Sequence, residues 1–349
     1  MPDLNHKEEV LRRSLEQTAD CWKQFPHLTD TDFVADFTQC LHWRYEGYPS
    51  EEAMNTYLKE FEIPQAFLFD ILANRFPLVL SSQTLLISTI CTAAAGHKQI
   101  TLLDLGCGRG EQLVRILHAL NELPELRKVT VIGTEILSSS LEFCASYLVS
   151  VSHRFRFNLE FHALSGPVEN MTRESVDDLI PEQSGALLIN ASLLMHHVQQ
   201  VEKRRAIFEL LYSLQPALLT MVEPDTDCFT DDADQRILNA YEHFGSLYTY
   251  ISTLPVNASE RKGLKQFFRN ELYDTLVLAD THRFEKYIRG SEWINLAASA
   301  GFVSKPVSGL STLPEVPGIK IEERSAGYVS FSFQRSDILS MIGLGVGDK

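Results

Sequence analysis

The chain has 349 residues, with 31 Lys and Arg against 46 Asp and Glu for a net charge of −15, and 44% hydrophobic and 22% charged residues. This balance excludes a disordered or collagen-like chain, and so much negative charge argues against nucleic-acid partners. The six cysteines, at 21, 40, 91, 107, 144 and 228, form no CxxC pair, which predicts reduced thiols in a cytoplasmic protein. Glu8, Glu9, Glu16 and Asp20 interrupt the first thirty residues, so no secretory signal is expected. The short basic runs, such as Lys203, Arg204 and Arg205, read as solvated helix faces.

Residues 1–95 read as a helical cap. Leu4, Leu11, Leu15, Ala19 and Trp22 recur at helical spacing, and Phe33, Val34, Phe37, Leu41 and Tyr45 follow after a cap-like Thr31-Asp32. Gly47 and residues 48–50 close that helix and open one carrying Met54, Tyr57, Leu58 and Phe61. Pro64 starts another, with Phe67, Leu68, Ile71 and Leu72. Residues 78–96 hold no charge and approach the length of a membrane span, yet Ser81, Ser82, Gln83, Thr84, Ser88 and Thr89 interrupt them. A buried helix is expected there, and no membrane partner.

Residues 96–349 form a second unit. Apolar runs at 100–105, 129–134, 159–163, 186–191 and 217–222 alternate with helical stretches at 111–121, 139–151, 173–180 and 203–214. Strands alternating with helices predict an α/β fold, a doubly wound and mostly parallel sheet, and continuous apolar runs predict strands buried on both faces. A mostly helical insertion follows at about 230–290, rich in aromatics such as Tyr241, Phe244 and Tyr248. A helix at 291–300 and strands at 303–310 and 327–333 then close the chain as an antiparallel hairpin, making seven strands.

The segment carrying most chemical information is Asp104-Leu105-Gly106-Cys107-Gly108-Arg109-Gly110-Glu111. Its glycines lie between a strand and a helix, where backbone must turn sharply and approach a ligand closely. The spacing is GxGxG rather than the dinucleotide GxGxxG, and Glu111 at the helix mouth would repel a pyrophosphate but tolerate a zwitterion or cation. Glu135 ends the second strand, where an acid suits two ribose hydroxyls.

These residues resemble the class I S-adenosylmethionine-dependent methyltransferases, a Rossmann-like fold. A narrower set resembles the GRAS family, known from plant transcriptional regulators and from a bacterial methyltransferase-like branch. It comprises Phe76-Pro77 and Gln83; Val168-Glu169-Asn170; Leu188-Ile189-Asn190-Ala191 with Leu194-Met195-His196-His197; Thr220-Met221-Val222-Glu223-Pro224-Asp225; Glu260-Arg261; and Trp293 ahead of Ala300-Gly301-Phe302. Plant members usually lose the glycine-rich loop that this chain keeps.

The resemblance implies S-adenosyl-L-methionine as cofactor, with S-adenosyl-L-homocysteine as product. Gly106, Cys107, Gly108 and Gly110 would shape its pocket. Asp104 would meet the methionine ammonium or cap the loop amides. Glu135 would hold the ribose, Ile136 an adenine face, and Glu169 with Asn170 the adenine amino group, while Asn190 would lie near the transferable methyl. His197, Glu223 or Asp225 would take a proton from the acceptor, although one of His196-His197 could equally be a buried structural residue. No acid accompanies the histidines at metal-ligand spacing, so no metal is expected. Two helical caps suit a small-molecule acceptor, and the sequence leaves a homodimer open. The alternative is a non-catalytic module that binds a nucleoside or a protein.

Overall fold

The computed structural model describes residues 4–47, 56–59, 61–181 and 185–347. Four helices come first: α1 (Leu4–Gln24), α2 (Thr31–Glu46), α3 (Gln65–Arg75) and α4 (Pro77–Ala94). Where a helix was expected between α2 and α3 there is a single 3-10 turn, Thr56–Leu58. Residues 48–50 and Met54, assigned to that stretch, lie outside the described residues. Asp30, rather than Thr31 or Asp32, caps α2, its carboxylate accepting from the Phe33 N–H at 3.0 Å.

The apolar stripe of α1 faces outward. Leu11, Leu15 and Trp22 are exposed, while Val10, Ser14, Thr18 and Cys21 are buried. Small side chains let α1 sit close on α2, where the Thr18 and Thr38 hydroxyls bond at 3.1 Å. α4 is long and apolar enough to cross a membrane by composition alone. In this fold Leu78, Leu85, Leu86 and Ile90 of α4 are fully buried in the core.

The five expected runs form parallel strands: β1 (Gln99–Leu105), β2 (Lys128–Glu135), β3 (Asn158–Ser165), β4 (Ala186–Ser192) and β5 (Leu218–Pro224). Between them lie α5 (Glu111–Leu120), α6 (Ser138–Ser152), α7 (Arg173–Asp177) and α8 (Val201–Ser213). Neighbouring residues of β1 point to opposite cores, Leu102 to one and Leu103 to the other. Strands of this kind read as near-continuous apolar runs, interrupted here by the buried Thr101, Asp104, Asn190 and Glu223. β3 is the exception to the expected double burial, because it is the sheet's outer strand and only half covered.

The chain then leaves the alternation through α9 (Ala233–Thr253), α10 (Ala258–Val277) and α11 (Gly290–Ser299). Residues 278–289, expected as helix, form an irregular stretch whose Arg283, Glu285 and Tyr287 are buried. α10 also anchors α3: Asn270 Nδ2 donates to Gln65 Oε1 at 2.8 Å, across 205 positions of sequence.

The end of the sheet differs from the expected hairpin. The strands are β6 (Val303–Ser304), β7 (Ile319–Ser325), β8 (Tyr328–Phe333) and β9 (Ser336–Gly345), giving nine among the described residues instead of seven. The order is β3-β2-β1-β4-β5-β9-β8-β7, with β6 pairing β9. Ile338, Leu339, Met341, Ile342 and Leu344 are buried, so β9 takes the covered position beside β5. Residues 303–304 therefore pair with β9 and not with β8.

Candidate functional site

The carboxyl ends of β1, β2 and β4 meet where the strand order reverses, the place where open α/β sheets bind ligands. Register puts Asp104 beside both Gly133 and Asn190. The loop after β1 then turns under Thr134, whose hydroxyl accepts from the Gly106 N–H at 3.1 Å and whose carbonyl accepts from the Cys107 N–H at 2.9 Å. Two glycines serve different ends. Gly108, at φ +53°, lines the cleft, and a Cβ there would meet no protein atom within 4 Å. Gly110, at φ +83°, lies so close to α6 that a Cβ would stand 2.7 Å from Cys144 Sγ. Gly110 shapes the loop without lining the cleft.

Glu135 ties this loop in place. Its Oε2 accepts from the Gly108 N–H at 2.9 Å and its Oε1 from the Leu137 N–H at 3.0 Å. Asp104 is buried and accepts from Asn190 Nδ2 at 2.7 Å. Burial pushes its carboxyl up to about 7, the Asn190 hydrogen bond pulls it down, and the Glu135 charge adds to the rise. Asn190 also donates to Gln112 Oε1 at 2.9 Å and accepts from the Thr220 hydroxyl at 3.2 Å. Asn190 thus supports Asp104 from beneath, because cross-strand register aims it at that carboxylate and not at the open space.

Asp104, Gly106, Cys107, Gly108, Glu135 and Ile136 line one cleft, which encloses about 1110 Å³ including its mouth. Glu169 and Asn170 do not. They sit in a 3-10 turn whose Val168 is buried in the core beneath α8, leaving Glu169 half-buried and Asn170 exposed away from the cleft. The sequence reading missed the opposite wall, made by Ala66, Phe69, Asp70 and Ala73 of α3. No local pattern marks those residues. Arg109 and Arg115 were visible beside the motif: Arg109 bonds Asp70 at 2.8 Å, and Arg115 donates to Gln83 Oε1 at 2.6 Å.

The turn after β4 begins at Leu193, which holds φ +54°. Side chains seldom adopt that conformation, which costs of order 1–3 kcal/mol. Glu223 is fully buried below the turn. Its Oε1 accepts from the Leu194 N–H at 3.0 Å and the Met195 N–H at 2.7 Å, and its Oε2 lies 2.6 Å from His196 Nδ1. With both oxygens engaged, Glu223 does not face an acceptor. Asp225 is also turned away, accepting from the Gly290 N–H at 2.9 Å and the Tyr328 hydroxyl at 2.7 Å. The next helix is capped by Asp232 instead.

His197 does reach the cleft. Burial, reinforced by His196, holds its ring well below the ordinary histidine value, so it is a neutral and weak base. Arg204, expected on a solvated face, is buried and donates to the carbonyls of Val198 at 2.8 Å and Lys286 at 2.6 Å.

A second, inner cavity of about 440 Å³ adjoins the cleft and shares Tyr57, Phe69 and Leu193 with it. Phe76, Phe267 and Phe268 form much of its wall, with His196, His243 and Glu271 as polar members. Tyr241, Phe244 and Tyr248 are in neither cavity. They pack in the core, where the Tyr241 ring lies 4.8 Å from Phe37 and 5.0 Å from Phe33 of α2.

The GRAS domain family model matches residues 32–313. Scarecrow-like protein 1 of Arabidopsis thaliana is 23% identical over 278 residues, which are 76% of this chain and 44% of that protein. Chitin-inducible gibberellin-responsive protein 2 of Oryza sativa subsp. japonica is 26% identical over 237 residues, 63% of this chain and 43% of that protein. The chain therefore spans less than half the length of these two relatives. The crystal structure of SCL7 of Oryza sativa superposes with a TM-score of 0.76 at 18% identity, covering 95% of this chain and 99% of that one, and so shares the fold. All three are plant proteins, not members of the bacterial methyltransferase-like branch that the sequence suggested. The matched span takes in the cap from α2 onward, the glycine loop and the strand ends around the cleft, and the chain belongs to the GRAS domain family.

Proposed function

We propose that the chain binds S-adenosylmethionine in the cleft between α3 and the loops after β1, β2 and β4, and transfers its methyl group to an oxygen or nitrogen of a small molecule. The observation that carries this reading is the charge of the cleft lining. Asp70, Asp104, Glu111 and Glu135 outnumber Arg109 and Arg115 there. Such a wall favours a cationic nucleoside over a pyrophosphate.

The residues fit the group. Asp104 would hold the ammonium, Glu135 the ribose hydroxyls and Ile136 an adenine face, with Gly108 leaving room beside them. Each Glu135 oxygen accepts one backbone N–H and retains capacity for a hydroxyl. When bound, the sulfonium supplies an electrophilic methyl group. The protein's part is to align the acceptor and keep water out, and alignment alone can supply ~7–11 kcal/mol. A weak base such as His197 is then sufficient. The inner aromatic cavity, meeting the cleft at Tyr57, Phe69 and Leu193, supports a small, flat or apolar acceptor over a polymer.

A second reading, a regulatory module that binds the nucleoside without turning it over, draws on the plant relatives, one of which is named a transcription factor. Calorimetry with S-adenosylmethionine, S-adenosylhomocysteine and NAD decides the ligand, and binding of NAD alone would overturn the proposal. Release of labelled S-adenosylhomocysteine across a small-molecule panel separates the two readings: turnover supports the enzyme, tight binding without turnover the module.

A further inference from the structure

We propose that His196, His197 and Glu285 form a binding site for a divalent transition-metal ion, with zinc as the reference ion, in the wall between the two cavities. Two imidazoles and a carboxylate are a common set for such ions. The sequence hides the set because 88 positions separate Glu285 from His197. The fold brings them together. The 3-10 turn Met195–His197 presents both rings. The irregular stretch after α10 presents the carboxylate, its backbone pinned where the Phe284 and Glu285 N–H groups donate to Asp274 Oδ1, each at 2.8 Å.

The spacing suits one ion. His196 Nε2 lies 3.5 Å from Glu285 Oε2, and His197 Nδ1 lies 3.5 Å from Glu285 Oε1. One ligand atom from each of the three residues falls within 4.8 Å of the other two. Two ligands ~2.1 Å from a tetrahedral zinc stand roughly 3.4 Å apart. The observed separations are close to that edge, and too long for good direct hydrogen bonds.

Two further observations point to a ligand. His197 Nδ1 and Glu285 Oε2 are buried with no hydrogen-bond partner, although neither residue is more than 8% exposed. Buried polar atoms of this kind are rare and call for an explanation. The surroundings also resemble the outer shell of a metal centre, where a carboxylate fixes the orientation of a ligating imidazole. Glu223 accepts from backbone N–H groups and faces His196 Nδ1 at 2.6 Å, so the ring proton belongs on Nδ1 and Nε2 is left toward Glu285. The Thr56 hydroxyl donates to Glu285 Oε1 at 2.7 Å and steadies the carboxylate.

His197 lines the cleft and His196 the inner cavity, so an ion held here would stand between the two.

The test uses the full chain purified without a histidine tag. After chelator treatment, reloading with Zn²⁺ and dialysis, elemental analysis should find close to one zinc per chain, and Co²⁺ should give the visible absorption of a tetrahedral site. His197→Ala and Glu285→Gln should each lower zinc affinity at least tenfold, and Glu223→Gln by about 10–100-fold through the outer shell. His153→Ala, at an exposed histidine, should retain the metal. Less than a tenth of an equivalent in the unaltered chain, or equal zinc in every variant, overturns the site. Calorimetry with S-adenosylmethionine on the same samples tests the cofactor reading separately.

Discussion

The Arg109 guanidinium donates to Asp70 Oδ2 at 2.8 Å and lies 4.0 Å over the Phe143 ring, so one side chain joins the glycine loop to α3 and α6. Burial, and then the Glu111 charge, outweigh Arg109 and leave the Asp70 carboxyl above its ordinary range. The pair therefore adds little stability. Asp70→Ala should change stability by less than ~1 kcal/mol, as for exposed ion pairs. Stopped-flow measurement should show S-adenosylmethionine leaving several-fold faster. A large fall in melting temperature would make the pair structural instead.

Asp104 gives a pH dependence with a definite sign. Its carboxyl titrates at about 7 in the folded chain, and near 4 when unfolded. Between those values the unfolded chain releases the proton and the folded chain keeps it, so this group's contribution to stability falls as pH rises from about 4 to about 7. Affinity for a ligand bearing an ammonium group should move the opposite way, rising by up to about tenfold per pH unit below 7. Asp104→Asn should flatten the calorimetric profile. An unchanged slope in that variant would remove Asp104 from the site.

Gly108 and Gly110 separate binding from folding. Gly110→Ala pushes a Cβ onto Cys144 at an unfavourable φ, and chemical denaturation should show a loss of about 1–3 kcal/mol. Gly108→Ala strains only the backbone, at ~1–2 kcal/mol. Its methyl group enters the cleft, so ligand affinity should suffer more than stability. Equal effects on both measures at both positions would contradict this division.

Glu135→Ala removes the acceptor for two loop N–H groups together with the proposed ribose contact. A loss of ~1.5–3 kcal/mol in binding, the worth of hydrogen bonds to a charged group, is expected by calorimetry. Glu135→Gln, which retains one acceptor oxygen, should fall between.

Asp225, once a candidate to take a proton, is held by Gly290 and Tyr328. Asp225→Asn and Tyr328→Phe should each cost ~1–3 kcal/mol of stability while leaving turnover within about twofold of the unaltered chain. Loss of turnover in a well-folded Asp225→Asn variant would restore its chemical role.

The legible parts of the sequence share a cause. β1, β2, β4 and β5 are mostly apolar runs because both faces are covered, and Asp104, the glycines and Glu135 stand within one strand–loop–helix–strand unit. β9 escaped notice because Asp337, Ser340, Gly343 and Gly345 break its apolar run. α1 misled for the reverse reason, since its small buried face carries less hydrophobic signal than its exposed leucines. Asp70 and Glu285 were invisible because each reaches its partners through tertiary packing, from α3 and from an irregular stretch that no periodicity describes. Adjacent in sequence, His196 and His197 meet Glu285 only through the tertiary fold.

The Gln65–Asn270 bond also sets an order of events during synthesis. A ribosome adding 5–20 residues per second needs roughly 10–40 s to travel those 205 positions. For that interval α3 exists without this anchor, while the strands and loops of the cleft floor are made after it. The bond that ties α3 to α10 can therefore form only once the floor it overlooks has been synthesised.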